Sequence, residues 1–399
     1  MTDIQRGDTL LHKKDSAVVK IDSVQPIAPV RKLNRAFIEE FGDENLSFFF
    51  ESLRESKYKP VRVAFFGDSF IEGDILCAPF RDTLQHLFGG SGVGYMPITS
   101  EVTKFRTSIQ HEFAHWNTFS IVGQKKDRAP LGLPGYCFVP ADGNEVIYKP
   151  VGKNFVTTKL FYESEKYSTI RFSLNESPSE TNDLEPAEKL QQYQLPGFGF
   201  HTVRISFPSV DNLRLYGVAL EDSVGLSVDN FSMRSNPGMG LLLIGRERLK
   251  QFDSLRNYKL VVLQYGLNVI SENDSTGYLW YVDKMVGLVK RLKENFPKCG
   301  FLLLSVGDRC SNQNGRITTM PDVKVMRDIQ RRIAQKSGIA FWDMFVAMGG
   351  ENSIKKYTEA QPPLAAKDYT HLTFRGGRKI AKKLADALLN EKTKYERKR

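Results

Sequence analysis

Five runs of strand length, most of them almost entirely apolar, constrain this 399-residue chain more than any other feature. The first is Val61-Arg62-Val63-Ala64-Phe65-Phe66, and the others lie at residues 225–231, 259–265, 301–306 and 338–342. A half-wet strand alternates polar with apolar residues. Runs this continuous instead predict strands buried on both faces, as in a parallel sheet covered by helices. Helical patterns separate them: residues 74–88, closed by Gly89-Gly90, then 239–252, 277–296, 321–337 and, after the last strand, 374–389. Strand and helix in alternation predict an open α/β sheet, and such a sheet takes its ligand at the carboxyl ends of its strands.

Three short segments fall at that edge. Gly67-Asp68-Ser69-Phe70 follows the first run and puts Ser69 on the turn at the end of a strand. Gly266-Leu267-Asn268 follows Leu260-Val261-Val262-Leu263-Gln264-Tyr265 and brings Asn268 to the same edge, where its amide can donate to an oxyanion. Asp368-Tyr369-Thr370-His371 precedes the last helix and offers a carboxylate and an imidazole from one loop. Taken singly, each has a plain structural reading: a tight turn, a loop, or, for Asn268, the N-cap of a helix running from Ile270. Taken together they supply a nucleophile, an oxyanion donor and an acid–base pair.

With these motifs the chain resembles the SGNH (GDSL-like) hydrolases over about two thirds of its length. The resemblance implies a three-layer α/β/α fold with a parallel sheet. It implies Ser69 as nucleophile, Asp368 and His371 as the rest of a Ser-His-Asp triad, and no metal or cofactor. It also implies an oxyanion hole made by the Ser69 N–H, the Asn268 amide and a glycine of a second motif. Asp229-Asn230-Phe231-Ser232-Met233-Arg234-Ser235-Asn236-Pro237-Gly238 looks like that second motif, with Gly238 as the glycine and Ser235, where relatives often have glycine, as the alternative. Val269 stands where an aspartate often follows the asparagine. The phrases Phe66-Gly67-Asp68-Ser69-Phe70-Ile71-Glu72-Gly73-Asp74 and Val228-Asp229-Asn230-Phe231 resemble the peptidoglycan and polysaccharide O-acetylesterase branch. That branch implies a carbohydrate O-acetylesterase acting on an acetylated glycan. An O-acetyltransferase working through the same acyl-enzyme, and a non-catalytic glycan-binding protein, are the alternatives.

Between residues 101 and 220 the pattern changes to short alternating runs such as Ser168-Thr169-Ile170-Arg171-Phe172-Ser173-Leu174, separated by Gly, Pro, Asn and Asp. This predicts a β-sandwich inserted into the α/β domain. The expected organisation is therefore a polar linker at 1–34, the hydrolase domain at 35–100 and 221–399, and the carbohydrate-binding-like insertion at 101–220. Trp116, Tyr136, Phe138 and Tyr162 can stack on sugars or fill the core of that insertion.

The net charge of +10 raises the question of a polyanion partner such as nucleic acid. Six of the ten surplus charges fall in residues 378–399, as expected for the solvated face of a basic terminal helix, so no nucleic-acid partner is inferred. Cys77, Cys137, Cys299 and Cys310 lack the spacing of a zinc or redox site and are expected to be free thiols. No run is long and apolar enough to span a membrane, and residues 1–29 lack an apolar signal core. Because similar enzymes act outside the cytoplasm, a periplasmic or extracytoplasmic location with the leader absent is expected, with the cytoplasm as the alternative. The sequence leaves the oligomeric state open.

Overall fold

The strand Pro60–Gly67, buried at every residue after Pro60, lies between parallel neighbours Gly225–Ser232 and Tyr258–Gln264. Gly300–Leu304 and Ala340–Trp342 continue the sheet in parallel, and Ile38–Glu39 closes that edge antiparallel. The computed structural model describes residues 37–102, 105–122, 130–152, 155–197, 199, 201–208, 212–271 and 277–399, so the polar linker expected at 1–34 lies outside it. In chain order the five parallel strands stand 2-1-3-4-5 across the sheet. The order reverses between Pro60–Gly67 and Tyr258–Gln264, and the crevice at the carboxyl ends of those two strands is the ligand position of this topology.

The helices pack in two sets. Ser47–Arg54 and Cys77–Phe88 meet the final helix Phe374–Arg397, while Arg246–Arg256, Leu279–Asn295 and Pro321–Ser337 pack in series. The final helix buries Ile380, Ala381, Leu384, Ala385 and Leu388, a stripe at helical spacing. Its basic residues occupy the outer face, where Lys382 pairs with Asp386 and Lys392 with Glu396.

Several element boundaries differ from expectation. Glu72–Asp74 is a 3-10 turn with Asp74 at a φ of 67°, so the helix expected from residue 74 begins at Cys77. Met239–Leu243 is likewise 3-10, and the helix there is Arg246–Arg256. A hairpin of Cys310–Gln313 and Arg316–Thr319 was not expected, since its short polar strands carry no apolar period.

Strands from Gly94–Met96 to Leu213–Glu221 make one nine-stranded antiparallel sheet, so the inserted β segment starts a few residues before 101. The long strand Tyr136–Pro150 changes partners along its length: Phe138 faces Leu215, whereas Val146 and Tyr148 face Ile205 and Val203. Residues from these strands share a core separate from that of the parallel sheet. Phe138 and Tyr162 belong to it at 0% and 4% exposure, which removes them as sugar-stacking faces. Trp116 is half-buried and donates from Nε1 to Glu145 O at 2.9 Å. All four cysteines are buried free thiols.

Buried charges tie the inserted sheet to the parallel one. Glu221, ending the strand Leu213–Glu221, meets Arg62 at 2.8 Å, Arg256 at 2.9 Å and Lys159 at 3.2 Å. Arg256 also meets Asp229 at 2.6 Å, and Tyr258 OH donates to the same carboxylate at 2.6 Å. Nearer the carboxyl edge, buried Asp74 accepts from Arg81 at 2.6 Å, Ser108 Oγ at 2.8 Å and Asn230 Nδ2 at 2.9 Å, with Arg106 3.2 Å away.

The first turn of the final helix packs tightly on the backbone of its neighbours. A Cβ on Gly377 would stand 2.2 Å from Ile75 O, and one on Gly376 would stand 1.9 Å from Leu364 O. Gly377→Ala is therefore expected to lose about 1–3 kcal/mol through overpacking, read as a lower denaturant midpoint. Exposed Gly287, on the helix Leu279–Asn295 with nothing within 4 Å, is the control. Gly287→Ala should gain up to about 1 kcal/mol from helix propensity. Equal midpoints for the two variants would contradict the close packing.

Candidate active site

The crevice at the strand-order reversal gathers the sequence motifs. Ser69 follows Pro60–Gly67 by two residues, in a turn where Asp68 O accepts from Ile71 N–H and Ser69 O from Glu72 N–H, each at 3.3 Å. Its hydroxyl oxygen is 3.1 Å from His371 Nε2. The other ring nitrogen, Nδ1, is 2.7 Å from Asp368 Oδ2. Asp368 Oδ1 accepts the backbone N–H groups of Thr370 at 2.9 Å and His371 at 3.0 Å, so the loop fixes the carboxylate against the ring beside it. Burial alone would raise the Asp368 carboxyl. Hydrogen bonds from the His371 ring and from the His371 and Thr370 amides outweigh it and hold the group below the ordinary carboxylate range.

Neighbouring elements hold this loop in place. Cys310 N–H, in the unexpected hairpin, donates to Tyr369 O at 3.1 Å, and Ala366 N–H donates to His371 O at 2.8 Å. Tyr369 takes a φ of 53°, a left-handed conformation that costs energy for a side chain of this size. Thr373 then caps the final helix, its Oγ1 accepting from Gly376 N–H. The support from Cys310 could not have been read from periodicity, because it joins segments 59 residues apart.

Asn268 sits in a turn of residues 267–269, closed by Val269 N–H to Gly266 O at 3.0 Å. Gly266 has a φ of 116°, and a Cβ there would lie 2.8 Å from both Gln330 Nε2 and Val306 Cγ1. Ile270 and Ser271 are not helical, and among the described residues the next helix is Leu279–Asn295 with Tyr278 as N-cap, so the reading of Asn268 as cap of a helix from Ile270 fails. Instead its Nδ2 donates to Asp68 Oδ2 at 3.1 Å, while the residue stays exposed on its other side.

The second-motif residues lie in the segment that follows Gly225–Ser232. Gly238 N–H donates to Asn236 Oδ1 at 2.9 Å, so the expected oxyanion donor is already engaged within its own turn. Ser235 has a φ of 61°, the backbone conformation that glycine adopts most readily, and among the described residues its N–H makes no hydrogen bond.

Asp68 is the residue sequence reasoning left without a role. It is 1% exposed, and Oδ1 accepts Phe70 N–H at 2.9 Å. Burial pushes its carboxyl up to about 6, against the Phe70 hydrogen bond, the charge of His371 and the Asn268 amide. Among the described residues no group of three or more His, Cys, Asp or Glu side chains is arranged to hold a metal ion, and no helix is long and apolar enough to cross a membrane.

No profile of a known protein family matches this sequence, and no curated protein sequence matches it. Solved structures do. The chain is similar to a peptidoglycan O-acetylesterase with a TM-score of 0.74 and 18% identity, over 90% of this chain and 99% of that one. The likeness shows a shared overall fold. An acetyl xylan esterase covers 41% of this chain and 80% of its own length at a TM-score of 0.31 and 19% identity. A family two carbohydrate esterase from Cellvibrio japonicus covers 72% and 98% at 0.30 and 11%. These two are too distant in structure to bear on the site.

The state of Asp68 has a measurable consequence. Well below its ordinary value of 3.8 the carboxyl is neutral in the folded and the unfolded chain alike. As pH rises from its ordinary value of 3.8 through about 6, the unfolded chain ionises in water while the folded chain must bear a buried charge, so stability is lost across that window. A difference of this size corresponds to roughly 3 kcal/mol at most. Asp68→Asn removes the titration. Its Tm relative to the unaltered protein is therefore expected to rise between pH 4 and pH 7, and a relative Tm that falls over that range would contradict the buried charge.

Proposed function

We propose that the protein is a serine esterase that removes O-acetyl groups from a cell-wall or other polysaccharide. The observation that carries this reading is the unbroken chain of contacts from Ser69 Oγ through His371 to Asp368 at the strand-order reversal. A serine hydroxyl is a weak nucleophile until a base takes its proton. His371 Nε2 is placed to do so as Oγ attacks the ester carbonyl, and Asp368 holds the ring tautomer and stabilises the resulting cation.

The tetrahedral oxyanion then needs donors. The Ser69 N–H and the free hydrogen of the Asn268 amide serve that role, with the Ser235 N–H in place of Gly238 as the third. His371 returns its proton to the departing sugar oxygen and leaves an acetyl-enzyme. Water, deprotonated by the same imidazole, attacks the acetyl carbonyl, and Ser69 leaves with its proton restored as acetate departs. Every step uses groups of this chain.

A glycan substrate is supported by the fold shared with a peptidoglycan O-acetylesterase. We read the inserted sheet as a sandwich that engages the polymer, supported by the strand Tyr136–Pro150 that bends from one set of partners to another around a common core. An extracytoplasmic location follows from that substrate and is part of the proposal.

The test is acetate release from a small acetyl ester and from O-acetylated peptidoglycan. Ser69→Ala should lose at least ~10³-fold on both while keeping its Tm, because the members of such a triad act as a unit. Near-normal turnover by the folded variant would end the esterase reading. Acetylated product accumulating in place of acetate when a sugar acceptor is added would mark a transferase.

A further inference from the structure

We propose that Asp68 is a positioning residue: its carboxylate fixes the Asn268 side chain so that the amide presents a hydrogen, and not its oxygen, to the oxyanion. The inference rests on the esterase reading above and adds a role that the triad and the oxyanion donors do not cover.

Asn268 needs such a partner. The residue is exposed, and among the described residues its amide makes one hydrogen bond, from Nδ2 to Asp68 Oδ2 at 3.1 Å. An asparagine amide carries a donor on one side and an acceptor on the other, and rotation by half a turn exchanges them. In the exchanged orientation the amide oxygen would face the developing oxyanion and repel it. An ionised carboxylate accepts only, so a neighbour of that kind selects the orientation with the NH2 towards it. One hydrogen of Nδ2 then points at Asp68, and the second is left for the substrate.

The carboxylate can impose this orientation because it cannot itself move. It is buried to 1% exposure, and its second oxygen is held by Phe70 N–H at 2.9 Å. Phe70 follows the nucleophile directly, and Asp68 precedes it, so the residue that orients the donor is joined by covalent bonds to the residue that attacks. Nucleophile and oxyanion donor thereby keep one register, although Ser69 and Asn268 stand on turns after two different strands. Next to the oxyanion itself, the negative charge of Asp68 is unfavourable. That makes orientation of the amide, and not direct stabilisation of the transition state, the work this group is suited to.

A purely structural role is the competing account, in which Asp68 serves only to accept Phe70 N–H and shape the turn. Asp68→Asn separates the two, since an asparagine keeps an oxygen for Phe70 N–H but sets its own NH2 against Asn268. On a small acetyl ester, D68N is expected to lower kcat by about 10- to 100-fold with KM changed less than about threefold, the pattern of an interaction expressed in the transition state. N268A should lose on the order of 10²- to 10³-fold. The deciding measurement is the double-mutant cycle. If Asp68 acts through Asn268, D68N/N268A is no slower than N268A within about threefold.

Losses that multiply across the cycle overturn the proposal and leave the esterase reading standing, as does full kcat in D68N. Full activity of N268A overturns both the oxyanion role and the positioning role, while inactivity of the unaltered protein on every acetyl ester overturns the esterase reading itself. Should D68N not fold, D68S, whose hydroxyl also accepts Phe70 N–H, takes its place in the same cycle with the same expected outcome.

Discussion

The site depends on how closely the first turn of the final helix approaches the turn that follows the nucleophile. Gly377 lies against the Ile75 backbone and Gly376 against Leu364, at separations that no side chain would allow. Ile75 is six residues beyond Ser69, and Gly376 five beyond His371, so the contact carries the imidazole to the hydroxyl. The hairpin bond from Cys310 to Tyr369 and the cap at Thr373 set the loop's angle, but only after the helix has brought it within reach. Backbone packed on backbone has little room to give, and interiors of this density transmit a small displacement rather than absorb it.

A second constraint comes from buried charge. Asp74 stands at the end of the turn that follows Ser69 and takes partners from three places: Arg81 on the next helix, Asn230 on the neighbouring strand, and Arg106 and Ser108 just before the strand Ile109–Ser120. Removing one partner from such a group leaves a buried charge uncompensated, at a cost of about 3–5 kcal/mol. Glu221 makes a similar cluster with Arg62, Arg256 and Lys159 where the chain returns from the insertion. Both crossings between the two sheets are thus pinned by ions. The inserted sheet is thereby fixed against the parallel one, and the turn that follows Ser69 is tied to it through Asp74.

Asp68 shows the opposite balance of stability and function. Its carboxyl is raised by burial, so ionising it costs folding energy at neutral pH. A protein keeps a destabilising group where an activity needs it, and active sites commonly carry such costs. Asp74, with cations on two sides, contributes to the fold. Among the described residues, Asp68 has no cation within an ion pair and is held by the Phe70 N–H and the Asn268 amide alone.

Much of this was legible in the chain itself. Apolar runs with no polar alternation gave away central strands buried on both faces, and the helix at Pro321–Ser337 announced itself through a proline start and a glycine stop. Ser69, Asn268, Asp368 and His371 could be named because each sits in a local strand-to-turn or loop-to-helix pattern, and local pattern is what a sequence records directly. The rest depends on contacts between distant segments. The bond from Cys310 N–H to Tyr369 O and the amide of Asn268 on Asp68 join such segments, 59 and 200 residues apart. Phe138 and Tyr162 have the alternation of either face of a strand, and only the shared core of the inserted strands shows that they are buried. The sequence by itself determined which groups the protein possesses and at which strand ends they stand. The tertiary structure alone decided which donors remain free and which carboxylate faces which partner, because hydrogen bonding and desolvation depend on distances of a few ångströms between residues that lie hundreds of positions apart in the chain.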